Sequence, residues 1–318
     1  MARIELKRED FSPDAIPVGT RMVNDAILKA LGAIPNRGEQ PPEEIRAARL
    51  SGKGTFPLPP ESTRAQEEVI AGPHGPIRLR IYQPDGPARG VYLHFHGGGW
   101  TIGSPRENDG ANDRVVERTG FAVVSVAYRL APECPYPQAP DDCETAALWL
   151  VRAAQARFGT TRLVIGGESA GACLAAATLV RLRDKHDLAP FAGAVLTSGC
   201  FDLRLTPSAR QWGAAPLVLN TADIRRFVTY YLSGGGCAED SDVSPLLADL
   251  RGLPSALFLV GTQDSLLDDT LFMAARWMAA GNAAELTVVP GGCHVFTRFP
   301  GVAGDQGLAR IDAYLAAL

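Results

Sequence analysis

The stretch LVIGGESAGACLAAA, residues 163–177, decides how the rest of the chain reads. It opens on an apolar run suited to a strand and closes on an Ala-rich run suited to a helix. Between them lies Gly167-Glu168-Ser169-Ala170-Gly171, the one G-x-S-x-G in the chain. A serine on so sharp a strand-to-helix turn is strained, and side chains two residues to either side would collide. Glycine at both positions permits the turn and pushes the hydroxyl out at the head of a helix. There, free N–H groups and positive partial charge can meet a developing oxyanion. The spacing predicts Ser169 as a nucleophile; the plain alternative is a Gly/Ser turn that caps a helix.

Strand-like and helix-like segments alternate on both sides of this turn. IRLRIYQP, GVYLHFH, GFAVVSVAYR, RLVIGGES, FAGAVLTSG, SALFLVGTQD and AELTVVPGG read as strands. DDCETAALWLVRAAQARFG, AGACLAAATLVRLRDK, LLDDTLFMAARWMAAG and GLARIDAYLAAL read as helices. Repeated βαβ units imply an α/β fold, a mostly parallel sheet with helices on both faces. Residues 203–245 break the alternation and are far too long for one crossover, so they read as an inserted helical cap. Residues 1–60 read as a helical arm that joins the cap, with Met22, Ile27, Leu28 and Leu31 sharing a face of its first helix and PNRGEQPPEE breaking it. The core is then residues 61–202 and 246–318.

A serine hydroxyl is a poor nucleophile until a base takes its proton, and the base needs an orienting acid. For a serine on a strand-to-helix elbow, the chain order is Ser, then acid, then His. Of His74, His94, His96, His186 and His294, only His294, in PGGCHVFTRF, stands well after the serine and just past a strand. His186 follows Asp184 and Lys185 at a helix end and reads as solvated. The acid belongs at the carboxyl end of the preceding strand, where open parallel sheets place their sites. In FLVGTQDSLLDD that position is Asp264; Asp268 and Asp269 fall on the next helical turn and read as groups that cap it or pair with the inserted cap.

HFHGGGW supplies the remaining part. Three glycines in a row give up packing and raise the entropic cost of folding, so something must need their bare backbone. A tetrahedral intermediate does: preorganised amides neutralise its oxygen, and losing one can cost roughly 10²–10³ in rate. Gly97 and Gly98 are expected to donate, with Ala170, the residue after the serine, as third donor. His96 reads as a structural group holding this loop and His94 as a core residue. Trp100, with Leu203, Trp212, Phe227 and Tyr231 from the cap, forms the expected substrate pocket.

Composition narrows the function further. Of 318 residues, 46% are hydrophobic and 21% charged, and the formal net charge is -4. Nucleic-acid and anionic-membrane partners are therefore disfavoured, since phosphate binding needs concentrated Lys and Arg. No apolar run approaches the roughly 20 residues that span a bilayer. Six scattered cysteines without a C-x-x-C pair, and an amino terminus without a signal-peptide core, predict a cytoplasmic protein. Neither a dinucleotide fingerprint nor a P-loop is present, and no cluster has zinc spacing, so no cofactor and no metal are expected.

HFHGGGW, SVAYRLAPECPYPQAPDD, GGESAG, and DSLLDD followed by CHVF occur in one order. On these motifs the chain, over residues 65–318, resembles the hormone-sensitive-lipase-like esterases of the α/β-hydrolase superfamily. That resemblance implies an eight-stranded, mostly parallel sheet under a helical cap, and no cofactor. It implies hydrolysis of short- to medium-chain acyl esters, a small-molecule ester as partner, and a homodimer through the last strand and helix. Carried over by position, it assigns Ser169, His294 and Asp264 as nucleophile, base and acid, and Gly97, Gly98 and Ala170 as oxyanion donors. Three departures stand out: Glu168 where many members have Asp, Ser265 in place of a proline, and Cys293 beside the histidine. Hydrolysis of amides, carbamates or a β-lactam by the same triad is the alternative chemistry. A non-catalytic receptor is the remote alternative.

Overall fold

The run preceding Ser169 is strand β5, and it lies inside a sheet whose order explains where the site forms. In the computed structural model, which describes residues 4–34 and 37–318, eight strands form one sheet. They are β1 (Ala65–Ile70), β2 (Ile77–Tyr82), β3 (Val91–Phe95), β4 (Ala122–Ala127), β5 (Leu163–Glu168), β6 (Phe191–Thr197), β7 (Ser255–Gln263) and β8 (Ala284–Cys293). Their order is β1-β2-β4-β3-β5-β6-β7-β8; β2 pairs antiparallel with β1 and β4, and every other pairing is parallel. The chain leaves β3 toward one edge and β5 toward the other. The crevice outside their adjacent carboxyl ends is the topological switch point, where ligands of open α/β sheets bind.

The helices are α1 (Val18–Gly32), α2 (Pro42–Leu50), α3 (Asp109–Thr119), α4 (Gln138–Phe158), α5 (Ala170–His186), α6 (Pro207–Gln211), α7 (Thr221–Tyr231), α8 (Leu267–Ala279) and α9 (Val302–Ala317). Strand side chains alternate between two apolar layers, as the period of two requires. Leu93, Val124, Ile165 and Phe258 pack with α4, α5 and α8, while Tyr92, Val123, Val164 and Leu257 pack with α1, α3 and α9. The eight-stranded α/β architecture implied by the sequence is therefore the observed one.

Two elements carry too little apolar pattern to stand out in sequence. Strand β1, AQEEVI, is an edge strand with Gln66, Glu67 and Val69 exposed. Helix α3, DGANDRVVERT, buries only Val115 and Val116 among aliphatic residues, and holds Asp109, Asn112 and Thr119 inward through polar contacts. The α1 face also differs from expectation. It buries Thr20, Asn24, Ile27 and Leu31 and leaves Met22 exposed, because Asn24 Nδ2 donates to Gly291 O at 2.8 Å and sets the helix rotation. Residues 1–3 of the arm, and Pro35 and Asn36 of the expected break after α1, lie outside the described residues.

Between β6 and β7, residues 198–254 carry α6 and α7. Asp269, at the start of α8, anchors this insertion: Phe201 N and Asp202 N donate to Oδ1 at 2.7 and 3.0 Å, and Thr206 Oγ1 donates to Oδ2 at 2.5 Å. Asp268 accepts from Ser208 N at 2.8 Å. The acids after Asp264 thus hold the insertion rather than the reacting groups.

Candidate active site

Ser169 has φ 56° and ψ −120°, a left-handed conformation that strains a residue with a Cβ. The flanking glycines make it possible by letting two segments close on β3. A Cβ on Gly167 would lie 2.1 Å from Phe95 O, and one on Gly171 would lie 1.9 Å from the same atom. Ser169 N donates to Thr197 O at 2.9 Å, which fixes the elbow to the end of β6.

The three expected reacting side chains come together. Ser169 Oγ lies 2.9 Å from His294 Nε2, and His294 Nδ1 lies 3.0 Å from Asp264 Oδ1. All three are buried. Leu266 N donates to Asp264 Oδ1 at 2.9 Å, which aims the carboxylate. With Nδ1–H donating to that carboxylate, Nε2 is left as the acceptor for the serine proton. His294 owes its position to the end of β8 and the residues after it: Gly291, within β8, has φ +75°, its amide donates to Thr262 Oγ1 at 2.8 Å, and Val295 N donates to Ser198 Oγ at 3.3 Å.

The glycine loop departs from expectation at one residue. Gly97 N donates to Glu168 Oε1 at 2.8 Å, so its amide is not free to meet a substrate oxygen. The amides of Gly98, Gly99 and Ala170 make no hydrogen bond to any described residue. Gly98 has φ +125°, and a Cβ there would lie 2.0 Å from Ile102 O. Gly99 has φ +59°, and its Cβ would lie 2.3 Å from the Phe227 ring. Each glycine is therefore demanded by a different neighbour. Gly99, rather than Gly97, shares with Gly98 an amide free of partners among the described residues.

Buried polar groups brace this loop from below. Glu168 Oε2 lies 3.0 Å from His94 Nε2, and His94 Nδ1 lies 2.9 Å from Ser125 Oγ. Burial alone would raise the Glu168 carboxyl, but His94, Arg298 and the Gly97 amide hold it down at about 2. It is thus an ionised acceptor. His94 is more than a packing residue, and Glu168 finds its partner in the loop. His96 Nδ1 donates to Gly97 O at 2.9 Å, and its ring stacks on Tyr128. Burial pushes the His96 imidazole down to about 4, against the opposing bond to Gly97, which keeps it neutral. The motif YRLAPE acts here too: Tyr128 O–H donates to His96 O at 2.6 Å, and Ala131 N donates to Trp100 O at 2.9 Å.

A cavity of about 660 Å³ opens above Ser169 and His294. Its walls come from the glycine loop, from arm residues between Leu31 and Pro59, from Val218 to Phe227 of the insertion, and from Val295 to Pro300. Trp100 and Phe227 line it as expected, but Leu203, Trp212 and Tyr231 do not. Leu203 is turned into the core by its amide bond to Ser244 Oγ at 2.9 Å. Trp212 is held aside by its Nε1 bond to Ala215 O at 3.0 Å. Tyr231 lies behind the wall, stacked on Trp100 with centroids 4.6 Å apart. Among the described residues no helix is long and apolar enough to cross a membrane, and no cluster of His, Cys, Asp and Glu could hold a metal ion.

Comparison with known proteins agrees with this geometry: residues 92–298 match the family described as alpha/beta hydrolase fold. The chain belongs to the α/β-hydrolase fold family. Among α/β hydrolases, it is 32% identical over 312 residues to the esterase LipI of Mycobacterium tuberculosis, covering 92% of this chain and 95% of LipI. It is 31% identical to an ethyl acetate hydrolase of Pseudomonas putida, covering 74% of this chain and 76% of that one. It is 34% identical to the carboxylic ester hydrolase LipN of M. tuberculosis, covering 71% of this chain but only 62% of LipN. In structure it resembles a hyperthermophilic esterase of Pyrobaculum calidifontis, with TM-score 0.85, 28% identity, and coverage of 95% and 99%. An esterase of the bacterial hormone-sensitive lipase family superposes with TM-score 0.78 and 29% identity, covering 98% and 99%. The resemblance to hormone-sensitive-lipase-like esterases read from the motifs is thereby borne out.

Proposed function

We propose that this α/β hydrolase is a serine carboxylesterase that cleaves short- to medium-chain acyl esters through an acyl-enzyme intermediate. The observation that carries the reading is the 2.9 Å approach of Ser169 Oγ to His294 Nε2, with Asp264 behind the imidazole. Ser169 Oγ attacks the acyl carbon as its proton passes to His294 Nε2, and Asp264 stabilises the imidazolium. The carbonyl electron pair moves onto oxygen, which the amides of Gly98, Gly99 and Ala170 receive. Collapse expels the alcohol, which takes the proton from His294. Water then repeats the sequence and releases the acid. Residues 1–60 and 203–245 act as a cap over the core formed by 61–202 and 246–318; their shared lining of the cavity supports this.

The reading includes a cytoplasmic location, supported by six cysteines all in the free state. It also includes a homodimer through β8 and α9, supported by the position of β8 at an edge of the sheet. The test is labelling by a fluorophosphonate, with the adduct mapped by mass spectrometry, beside turnover of p-nitrophenyl esters from acetate to laurate. Modification of Ser169 and turnover of the shorter esters are expected. Folded protein that takes no label would end the proposal.

A further inference from the structure

The cavity wall is largely apolar, yet besides Arg226 two guanidinium groups stand in it: Arg49 on α2 and Arg298, four residues after His294. Both gather on Glu107. Arg49 Nε lies 2.5 Å from Glu107 Oε2, and Arg298 Nη2 donates to Glu107 O at 3.1 Å. Arg298 Nη1 also comes within 3.8 Å of Glu168 Oε1, the carboxylate beside Ser169. A guanidinium carries five N–H donors. Among the described residues, these contacts are all the polar partners the two groups have, so most of their donors are uncommitted. Their side chains keep 27% and 29% of their surface exposed.

The acids in the same wall, Glu107 beside Arg49 and Glu168 near Arg298, take up only part of this charge. Arg49, Lys53, Arg226 and Arg298 face Glu44, Glu107 and Glu168 across the cavity. Arg226 is held by Asp223 Oδ1 at 2.9 Å, and Glu168 is shared between His94 and the Gly97 amide. Burial lowers the Arg49 guanidinium from its ordinary value; Glu107 opposes the fall and Arg298 adds to it. An anion beside the two groups would relieve that repulsion.

We infer that the ester this site is built for carries a second, ionised carboxylate that docks on Arg49 and Arg298 while its acyl carbon lies at Ser169. The inference rests on the ester-hydrolase reading above. A planar fork of N–H groups matches a carboxylate in two parallel bonds. Without those groups an apolar cavity would reject the charge, since an unpaired ion is costly to desolvate. The competing role for the pair is a latch that ties α2 to the core through Glu107.

The experiment compares kcat/KM by pH-stat for matched neutral and acidic esters. Monoethyl adipate and monoethyl suberate are set against ethyl hexanoate and ethyl octanoate, and the hexanoyl ester of glycolic acid covers an acid on the alcohol side. Wild-type enzyme is expected to prefer at least one acidic ester over its neutral match by about tenfold or more. Arg298→Gln and Arg49→Gln are expected to collapse that ratio, chiefly through KM of the acidic ester, while Arg298→Lys keeps part of it. A wild-type ratio at or below one for every pair overturns the inference. So does an equal loss on neutral and acidic esters in both Gln variants, which identifies a latch. Turnover of ethyl hexanoate without preference sinks this inference alone, whereas absence of any turnover and of fluorophosphonate labelling sinks the ester-hydrolase reading beneath it.

Discussion

Glu168 Oε1 accepts the Gly97 amide at 2.8 Å, so the carboxylate beside the nucleophile holds the loop that faces it. Glu168→Ala would release that loop and leave the buried His94 without its acid. The expected result is a fall in kcat of about tenfold to a hundredfold, with KM changed less than about threefold, because amides aimed at the transition state act on kcat. Affinity for a trifluoromethyl ketone, which mimics the tetrahedral adduct, should fall by the same factor. Glu168→Gln keeps an oxygen for Gly97 and should retain most activity. Unchanged kcat in the Ala variant would show that the loop holds itself.

In the proposed mechanism Ser169, His294 and Asp264 act as a unit, so their losses should not add. Ser169→Ala and His294→Ala are each expected to lower kcat by about 10⁴-fold or more, with the double variant no worse than either. Purified variants assayed on p-nitrophenyl butyrate, with circular dichroism as a folding control, give the comparison. Multiplying losses would mean that Ser169 and His294 serve different steps.

The serine, histidine and acid were legible because their signals are local: a glycine two residues either side of Ser169, one histidine past the last strand, one acid directly after a strand. What escaped the sequence depends on contacts between distant segments. Whether Gly97 or Gly99 keeps a free amide is decided by the reach of Glu168, 71 positions along the chain. Leu203 and Tyr231 are apolar residues of the insertion, but Ser244 and Trp100 determine where they point. Strand β1 and helix α3 hold themselves by edge pairing and polar contacts, which leave little periodic trace. Arg49 belongs to the arm and meets Glu107 only in the folded chain.

Asp269 couples stability to pH. Burial raises its carboxyl to about 7, although the amides of Phe201 and Asp202 and the Thr206 hydroxyl oppose the rise. A folded-state value above the unfolded value of about 3.9 means the native state binds the proton more tightly. Stability from this group is full below about pH 4 and is lost as pH rises toward 7. Asp269→Asn can keep the two amide bonds at its oxygen and donate to Thr206 from its nitrogen. The variant should therefore lose a stability slope of order 1–3 kcal/mol between pH 4 and 7, read from urea midpoints. An identical slope in both proteins would assign the pH dependence elsewhere.

Cys293 should be silent toward thiol reagents. It is buried, and burial, with the charge of Asp264, pushes its thiol up to about 12, so almost no thiolate is present at neutral pH. Incubation with iodoacetamide at pH 7.5 is expected to leave esterase activity intact and to modify the exposed Cys237 first, as peptide mapping would record. Inactivation in step with Cys293 alkylation would contradict this.

Gly99 and Phe227 form one contact through which the insertion meets the glycine loop. A Cβ at position 99 would stand 2.3 Å from the ring, and the backbone there has φ +59°. Gly99→Ala therefore meets two separate obstacles, a clash and a left-handed conformation costing about 1–2 kcal/mol for alanine. Its kcat should fall by about 10²-fold or more as the proposed donor shifts. Phe227→Ala removes the ring contacts but keeps a Cβ that would stand 2.9 Å from the one at position 99, and it leaves the strain; the double variant should therefore recover only part of that loss, a coupling that identifies direct contact. Phe227→Ala alone should enlarge the cavity and move the best substrate toward longer acyl chains, where the wild-type enzyme is expected to fade beyond octanoate. If the ring bounds the acyl chain, the chain-length profile moves with Phe227 and not with Trp212, which lies outside the cavity. A profile that ignores Phe227 would mean the arm, not the insertion, sets the length of the acyl chain.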